Sequence, residues 1–309
     1  MPIALIAHGG AGNWRPGSES DALDAMRGAV QAGERVLRGG GSALDAVCAT
    51  VVRLEDNPIF NAGTGAVLNF DGFVEMDACV MESNGARMGA VSALQRVKNP
   101  VLVARKVMEE TDHVMLTGEG ALRFARAMGF GDHDPVTEAR RKDWEDKKAH
   151  LDDVLASGRG LKMRRFLKDH PEYAGGTVGA AAVDAQGVLA AATSTGGVTM
   201  KLVGRVGDSP VPGAGNYASP FVAASATGTG EFVLRALATR AISERVEHGA
   251  GFADAMNQVL QQLGRDFDAD VGIIGVDRHG VPVAVHRTKQ MPHAFFAGDS
   301  PVVARMRAA

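Results

Sequence analysis

The feature that most constrains this 309-residue sequence is an abrupt change of character at Gly176-Thr177. The segment before it, about 132–176, is charged and poor in core-forming residues, whereas 177–183 is a run of small residues typical of a buried strand. A threonine hydroxyl is a weak nucleophile that needs an adjacent base. Breakage of the Gly176–Thr177 bond would give Thr177 an α-amine, whose ordinary pKa of about 7.7–8.0 suits a general base. The junction therefore indicates either a simple turn before a strand or a self-cleavage site that exposes a catalytic threonine.

Glycine- and threonine-rich motifs occur in order along nearly the whole chain and favour the second interpretation. They occupy 7–12 (AHGGAG), 57–65 (NPIFNAGTG), 76–81 (MDACVM), 193–197 (TSTGG), 204–210 (GRVGDSP) and 227–231 (TGTGE). Together with the junction, they resemble the plant-type asparaginase and isoaspartyl aminopeptidase family, the threonine branch of the N-terminal-nucleophile hydrolases. The resemblance implies that Thr177 is the nucleophile and that the chain cleaves itself between Gly176 and Thr177.

The resemblance also implies which residues act together with Thr177. Thr195 matches the position whose hydroxyl contacts the nucleophile. Thr227 and Gly228 match the pair that forms the oxyanion hole, one through its hydroxyl and the other through its backbone N–H. A donor of this kind contributes about 2.7–4 kcal/mol to transition-state stabilisation. On residue pattern alone, Thr227-Gly228 would be only a glycine-rich turn that leads into a helix.

Arg205 and Asp208 carry opposite charges three residues apart in a glycine-rich segment. An exposed ion pair is the ordinary interpretation and contributes about 0–1 kcal/mol. The resemblance instead implies a clamp, in which the Arg205 guanidinium binds a substrate α-carboxylate bidentately and Asp208 binds the α-ammonium. Gly230 matches the glycine whose carbonyl accepts a hydrogen bond from the substrate amine. Asn61 is assigned to the substrate-binding residues and is expected to order the site.

Residues 54–64 resemble the sodium-binding loop of the family. The resemblance implies that backbone carbonyls surround a structural Na⁺, a hard cation that prefers oxygen ligands. The candidate residues are Leu54, Glu55, Asn57, Phe60, Ala62 and Thr64. No cofactor is expected for catalysis.

Other signals are weak. Residues 213–218 fit the G-x-G-x-x-A dinucleotide pattern, but no strand precedes them and Pro220 follows where a helix would begin. The nine histidines show no metal-binding spacing, and Cys48 and Cys79 are expected to be buried free thiols, as in a reducing cytosol. A net charge of −3 gives no reason to expect nucleic acid or an anionic membrane as partner. No apolar run is long enough for a bilayer and no signal peptide is recognisable, so a cytoplasmic location is expected.

Hydrophobic periodicity predicts a chain of mixed α and β structure. The predicted strands are 3–7, 67–70, 73–81, 88–94, 177–183, a strand that ends at 195, 271–276 and 281–286. The predicted helices are about 21–37, 42–54, one that begins after Asn99-Pro100, 231–247 and 252–263. Strands in runs and helices in runs fit an α+β layering, and the family resemblance implies a four-layer αββα sandwich.

The whole chain, 1–309, is expected to form one domain of the N-terminal-nucleophile hydrolase type. Cleavage would divide it into an α subunit, 1–176, and a β subunit, 177–309. The α subunit would end in a charged segment, about 132–176, that is expected to be a flexible linker or, from the helical bias of 138–148, a solvated helix. The implied activity is hydrolysis of the small molecules L-asparagine and β-aspartyl dipeptides, by a dimer of αβ units. A glycosylasparaginase with the same nucleophile is the nearest alternative. A non-enzymatic scaffold is the other alternative, and the presence of every expected site residue argues against it.

Overall fold

The computed structural model describes residues 2–156 and 176–308, and of 150–156 only the backbone. The described helices are α1 (Glu19–Arg38), α2 (Ala43–Glu55), α3 (Pro100–Glu110), α4 (Gly118–Ala127), α5 (Glu138–Ala156), α6 (Gly230–Ala236), α7 (Ala238–Glu247) and α8 (Phe252–Phe267). The described strands are β1 (Ala4–His8), β2 (Met76–Glu82), β3 (Met88–Leu94), β4 (Met115–Thr117), β5 (Val178–Val183), β6 (Leu189–Thr195), β7 (Asn216–Ala218), β8 (Val222–Gly228), β9 (Val271–Asp277), β10 (Pro282–His286), β11 (His293–Ala297) and β12 (Val303–Arg305). Within these ranges, no helix has the length and apolar content to cross a bilayer.

The described strands form two sheets. The first has eight strands in the order β12-β11-β1-β5-β6-β2-β3-β4, and the second has four in the order β10-β9-β8-β7. Neighbouring strands are antiparallel throughout, except that β3 and β4 are parallel. The strand β5, which follows the Gly176–Thr177 junction directly, therefore lies in the interior of the larger sheet, between β1 and β6.

Alternation along the central strands sorts side chains between two hydrophobic layers, because successive strand residues point to opposite faces. In β5, Ala180 and Ala182 pack with α1 and α2, whereas Ala181 and Val183 pack towards the second sheet. Strand β8 alternates in the same way, with Ala226 facing the helices α7 and α8 and Ala223 facing the first sheet. The protein thus has helices against the outer face of each sheet and a shared apolar layer between the two sheets.

Most of the predicted elements are confirmed, including the helices at 21–37 and 42–54, the latter capped by the Ser42 hydroxyl, which accepts from Asp45 N at 3.1 Å. The predicted strand 67–70 is wrong. This segment is buried, but its backbone groups bond to a side chain and to loops: Val67 N donates to Asn61 Oδ1 and Phe70 N donates to Lys201 O. Burial alone therefore produced a strand-like pattern.

The predicted helix 231–247 is divided in two at Leu237. That residue has φ 45° and ψ 52°, in the left-handed region. Just after it, Arg240 N donates to Gly213 O at 2.8 Å and Thr239 N donates to Ala214 O at 3.2 Å, so a neighbouring loop replaces the helical partners. No glycine or proline marks the break, which is why the sequence pattern missed it. The elements β4, α4, β7, β11 and β12 were not predicted either.

The charged segment about 132–176 contains a helix where it is described, one of its two predicted alternatives, and 157–175 lie outside the described residues. Helix α5 forms there and packs on the protein through Trp144, which adjoins a small buried cluster that contains Leu68 and Met76. The Trp144 indole donates to Asn69 O at 2.8 Å, and Arg140 donates to Gly65 O. The first part of the expected flexible linker is thus a docked helix, and its sparse apolar residues are enough to fix it.

We expect Trp144→Ala to lower the free energy of unfolding by about 2–4 kcal/mol, because it removes a large partly buried side chain and a hydrogen bond from the interface of α5. Chemical denaturation measures the change. The exposed neighbour Glu145 provides the control, since Glu145→Ala should change stability by less than about 0.5 kcal/mol. Equal stability of the two variants would show that α5 does not dock through Trp144.

Candidate active site

Thr177 lies at the start of β5, with its side chain turned towards the layer between the sheets. It is 6% exposed, and its Oγ1 donates to Thr195 Oγ1 at 3.1 Å. The β5–β6 register brings Val178 opposite Ser194, so Thr177 and Thr195 are the next facing pair. Thr195 Oγ1 also accepts from Gly197 N at 2.9 Å, which fixes its position. The predicted contact between these two hydroxyls is therefore present in the structure.

The residue before Thr177 touches the loop after β1. Gly10 has φ +106°, and a Cβ on it would lie 2.2 Å from Gly176 Cα. A Cβ on Gly176 would in turn lie 2.7 Å from Gly10 Cα. Both positions therefore need glycine for the close approach of the two backbones at the residue before Thr177.

Thr227 and Gly228 are the last two residues of β8, in the smaller sheet. Thr227 is buried, and its Oγ1 accepts from Ala11 N at 3.2 Å, which leaves the hydroxyl proton available for another acceptor. Gly228 has φ +133°, a backbone conformation that glycine adopts readily and other residues rarely adopt. A Cβ there would lie 2.2 Å from Asp270 O. Gly228 borders the pocket with Thr177 and Thr195. The arrangement supplies a hydroxyl and a backbone amide at the strand end, as an oxyanion hole requires.

Arg205 and Asp208 line the same pocket, but Arg205 is already paired. Its Nε and Nη2 donate to Glu231 Oε1 and Oε2 at 2.9 and 2.8 Å. Asp208 is buried, and its Oδ2 has no hydrogen-bond partner among the described residues. Burial raises the pKa of Asp208 to about 7, against the smaller opposing effect of the Arg205 charge. An unpaired carboxylate thus faces a pocket in which a cation would stabilise it.

Glu231 is a residue that the sequence analysis missed as part of the site. It is the second residue of α6, and its carboxylate accepts hydrogen bonds from one edge of the Arg205 guanidinium. The other edge faces the pocket, since a Cβ on Gly207 would lie 2.8 Å from Arg205 Nη1. Bidentate pairing of this kind fixes the plane of an arginine side chain. The only available signal was the position of Glu231 within the motif 227–231.

Glycines make the space beside the charged pair. A Cβ on Gly230 would lie 2.6 Å from Asp208 Oδ1, and one on Gly215 would lie 2.5 Å from Asp208 Oδ2. Any larger residue at either position would therefore collide with the carboxylate. The pocket as described has a volume of about 10 Å³, which corresponds to about one water molecule. With the Gly176–Thr177 bond intact, the pocket is nearly closed.

Asn61 lies behind the pocket and does not border it. Its Nδ2 donates to Gly197 O at 2.7 Å, its Oδ1 accepts from Val67 N at 2.8 Å, and its carbonyl accepts from Gly196 N. Asn61 thus fixes the turn after Thr195 and through it the position of the Thr195 hydroxyl. This geometry agrees with an ordering role and does not bring the amide near the space in front of Thr177.

Two buried polar side chains, His8 and Lys201, form hydrogen bonds next to the strands and the loop that carry the site residues. His8 Nε2 bonds to Ser225 Oγ at 2.9 Å, and Ser225 Oγ bonds to Thr193 Oγ1 at 2.8 Å, so a side-chain chain crosses between the sheets. Burial lowers the pKa of His8 to about 3, so its imidazole is neutral. On the other side, Lys201 donates to Glu75 O at 2.8 Å beneath the loop that carries Arg205. Neither group was predicted to support the site.

The loop 54–64 offers backbone oxygens that are compatible with a sodium ion. Thr64 N donates to Glu55 O at 2.8 Å, which closes the loop, and the carbonyls of Leu54 and Asn57 accept one hydrogen bond each from residue 57 and residue 60. A carbonyl has a second lone pair, so these bonds do not prevent ligation. Among the described residues, no group of three or more His, Cys, Asp or Glu side chains is arranged to hold a metal ion. The loop is therefore compatible with a cation bound mainly by backbone carbonyls.

Comparison with known proteins gives consistent results over the whole chain. The family model described as "Asparaginase" matches residues 1–303. The plant-type L-asparaginase of Pyrococcus abyssi is 46% identical over 298 residues, which cover 95% of this chain and 96% of the relative. The isoaspartyl peptidase of Escherichia coli is 41% identical over 97% of this chain and 95% of its own length. The isoaspartyl peptidase/L-asparaginase of Rattus norvegicus is 41% identical over 95% and 86%, respectively.

We expect Gly10→Ala to slow cleavage at Gly176–Thr177 at least about tenfold, because the added methyl must push Gly176 away and the positive φ disfavours alanine. A time course of freshly made protein on a denaturing gel measures the two fragments. Gly17→Ala is the matched control, since Gly17 has φ +87° but no atom within 4 Å of the added Cβ. Cleavage of Gly10→Ala at the wild-type rate would show that this backbone contact is not needed.

Proposed function

The chain belongs to the asparaginase family, and on that basis we propose that it hydrolyses β-aspartyl amides, cleaving β-aspartyl dipeptides and converting L-asparagine to L-aspartate and ammonia. The relatives named above include enzymes called L-asparaginase and isoaspartyl peptidase. The observation that carries the proposal is the 3.1 Å contact between the Thr177 and Thr195 hydroxyls in a pocket shared with Arg205 and Asp208.

Activation begins with self-cleavage in this proposal. Thr177 Oγ attacks the Gly176 carbonyl carbon, the peptide C–N bond breaks, and an ester joins Gly176 to the Thr177 hydroxyl. Water then hydrolyses the ester, which leaves the subunits 1–176 and 177–309 and a free α-amine on Thr177. The nearly closed pocket of the uncut chain supports this order of events, since it has no room for an aspartyl unit before cleavage. The two sheets with helices against their outer faces support the finer fold proposal, an αββα sandwich.

Catalysis then uses the new amine as the base. The α-amine takes the proton from Thr177 Oγ as that oxygen attacks the side-chain carbonyl of the substrate. Thr227 and Gly228 stabilise the oxyanion, and the amine passes the proton to the leaving nitrogen. Water attacks the resulting ester and releases aspartate. Thr195 holds the nucleophile through its hydroxyl, and Asn61 acts through the turn that carries Thr195.

The charged pair recognises the α-groups of the substrate. Arg205, oriented by Glu231, binds the α-carboxylate with its free edge, and Asp208 binds the α-ammonium together with the Gly230 carbonyl. L-asparagine and a β-aspartyl dipeptide present the same two α-groups and differ only in the leaving amine. One clamp therefore serves both substrates.

Three further features belong to the proposal. A Na⁺ held by the carbonyls of 54–64 would stiffen the loop that contains Asn61, and it takes no part in the reaction. The assembly is a dimer of αβ units. A reducing, cytoplasmic setting is supported by Cys48 and Cys79, which are buried and unpaired with each other, and burial raises the pKa of each thiol to about 12.

The experiment that tests the function compares Thr177→Ala with the wild type. The variant should remain one chain and hydrolyse neither L-asparagine nor β-Asp-Leu, while Thr177→Ser should still cleave itself and retain part of the activity, since it keeps a hydroxyl. N-terminal sequencing of the smaller wild-type fragment should begin Thr-Val-Gly-Ala. A different start, or turnover by Thr177→Ala, would remove Thr177 from the mechanism. A faster reaction with a glycosyl-asparagine would identify the alternative activity.

The clamp predicts strict selection for a free α-amine. N-acetyl-β-Asp-Leu should be cleaved at least about a thousandfold more slowly than β-Asp-Leu, because it leaves Asp208 without a counter-charge and adds bulk against the Gly230 wall. The ratio of the kcat/KM values measures the effect. α-Linked Asp-Leu should also resist, since its scissile carbonyl occupies the position that Arg205 holds. Comparable rates would contradict the assigned clamp.

The acidic limb of the pH profile should depend on two groups. Burial raises the pKa of Asp208 to about 7 in the uncut chain, so a carboxyl that stays buried after cleavage becomes protonated and loses its attraction for the ammonium as pH falls through 7. The Thr177 amine, with an ordinary pKa of about 7.7–8.0, is also inactivated by protonation. The logarithm of kcat/KM should therefore approach a slope of two at low pH in the wild type and a slope of one in Asp208→Asn. A wild-type slope of one would rule out the titration of Asp208 in this range.

A further inference from the structure

A cavity of about 770 Å³ opens on the far side of the two sheets, where their edges diverge. One wall is β10, the edge strand of the smaller sheet, and the opposite wall comes from β11 and β12, at the edge of the larger sheet. Helix α8 closes a third side through Asn257 and Leu260. The volume lies within the range of about 300–1,000 Å³ that is usual for small-molecule sites. No residue of the proposed catalytic site borders this cavity.

The lining of the cavity is strongly basic, although the protein as a whole has a net charge of −3. Lys289, Arg305 and Arg307 contribute permanent positive charges, and no aspartate or glutamate is present among the lining residues. None of these three cations forms an ion pair with another residue in the described ranges. Elsewhere most surface arginines pair locally, as Arg240 does with Glu244. The concentration of unneutralised charge in one concavity favours an anionic ligand.

The inner wall of the cavity is apolar and aromatic. Ile6, Val285 and Phe295 lie there, and the Arg305 guanidinium lies 5.6 Å from the centre of the Phe295 ring. This stacking positions the guanidinium and leaves its in-plane N–H groups available to an oxygen acceptor. The side chains of Thr288 and Asn257 add neutral hydrogen-bonding groups at the border. Such a wall suits an organic anion with a carbon skeleton as well as an inorganic one.

Two histidines at the inner end are oriented by backbone contacts, and burial lowers the pKa of each. His286 Nδ1 bonds to Thr288 O at 2.9 Å, and its Nε2 accepts from Ala308 N at 3.0 Å. His293 Nδ1 bonds to Met291 O at 2.8 Å. Burial lowers the pKa of His293, and the neighbouring His286 and Arg305 lower it further. His293 therefore responds to the electrostatic potential of this cavity and can report a bound negative charge.

We propose that this cavity, bordered by Lys289, Arg305, Arg307 and His293, is a binding site for a small organic anion with two or more carboxylate or phosphate groups. The cations supply the affinity: Lys289 acts as a mobile point charge, and Arg305 and Arg307 supply planar donors for oxygen pairs. The apolar wall selects ligands that carry a hydrocarbon part. The proposal is independent of the catalytic function proposed above, since it uses none of the same residues.

The test is titration of the purified protein with citrate and with fructose 1,6-bisphosphate, two organic anions that separate a carboxylate ligand from a phosphate ligand. Arg205 is itself an anion receptor, so each titration is repeated in an Arg205→Gln background to remove binding at the catalytic pocket. Calorimetry at about 50 mM NaCl should give a Kd below about 1 mM for at least one probe. Lys289→Gln/Arg307→Gln should weaken that Kd about tenfold or more, because it removes two charges and leaves the Arg305–Phe295 stacking in place.

The matched control removes two exposed charges that do not line the cavity. Arg35→Gln/Arg53→Gln, on α1 and α2, should leave the Kd within about twofold. NMR titration of the His293 ring should show a higher pKa with the bound probe, since a nearby negative charge favours the imidazolium. Absence of binding, equal weakening in both double variants, or an unchanged His293 pKa on saturation would each overturn the proposal. Thermal unfolding of every variant shows that the comparison is made between folded proteins.

Discussion

The close approach of β5 to β8 is the contact on which the arrangement of the candidate site depends. Gly179 faces the second sheet without a side chain, and a Cβ there would lie 2.0 Å from Ser225 Oγ. The next residue of β5 on that face, Ala181, is also small. Two sheets normally pack about 10 Å apart, so small side chains are what allow strand ends from both sheets to share one pocket. Thr177 and Thr195 from one sheet meet Gly228 from the other for this reason.

Arg205 and Asp208 can interact strongly with a charged ligand because little water surrounds them in the pocket. Asp208 lies against glycine backbone, and its buried Oδ2, next to Gly215, has no hydrogen-bond donor among the described residues. Glu231 does the opposite for Arg205, since it neutralises and orients the guanidinium before any ligand arrives. Arg205 is thus oriented in advance, whereas Asp208 keeps an oxygen without a hydrogen-bond partner. In the proposed clamp, this asymmetry would give the substrate ammonium a larger share of the electrostatic gain than the carboxylate.

Short motifs carried the prediction of the site, whereas contacts between residues far apart in the sequence could not be predicted from it. The resemblance of the short motifs to a known family assigned Thr195, Arg205 and Asp208 to the site of Thr177, and the structure places all three in one pocket with Thr177. The position of Asn61 behind the pocket does not follow from the sequence, since its amide bonds depend on residue 197, which is 136 positions away. The break at Leu237 could not be predicted for a similar reason. The competing partners, Gly213 and Ala214, lie in a loop that is close in space but far from Leu237 in the sequence. Hydrophobic periodicity indicates which residues are buried. It does not indicate which backbone N–H group bonds to which carbonyl.

The strand order of the larger sheet has a consequence for the lifetime of a cut molecule. Strand β1 of the segment before the junction lies between β5 and β11 of the segment after it, and β6 pairs with β2 of the first segment. Cleavage would leave these interleaved strands hydrogen-bonded, so the fragments could separate only by dismantling the sheet. Reassembly would then be a bimolecular reaction between chains that first folded as one. Such a molecule would persist through the height of its unfolding barrier, and heat inactivation would be irreversible.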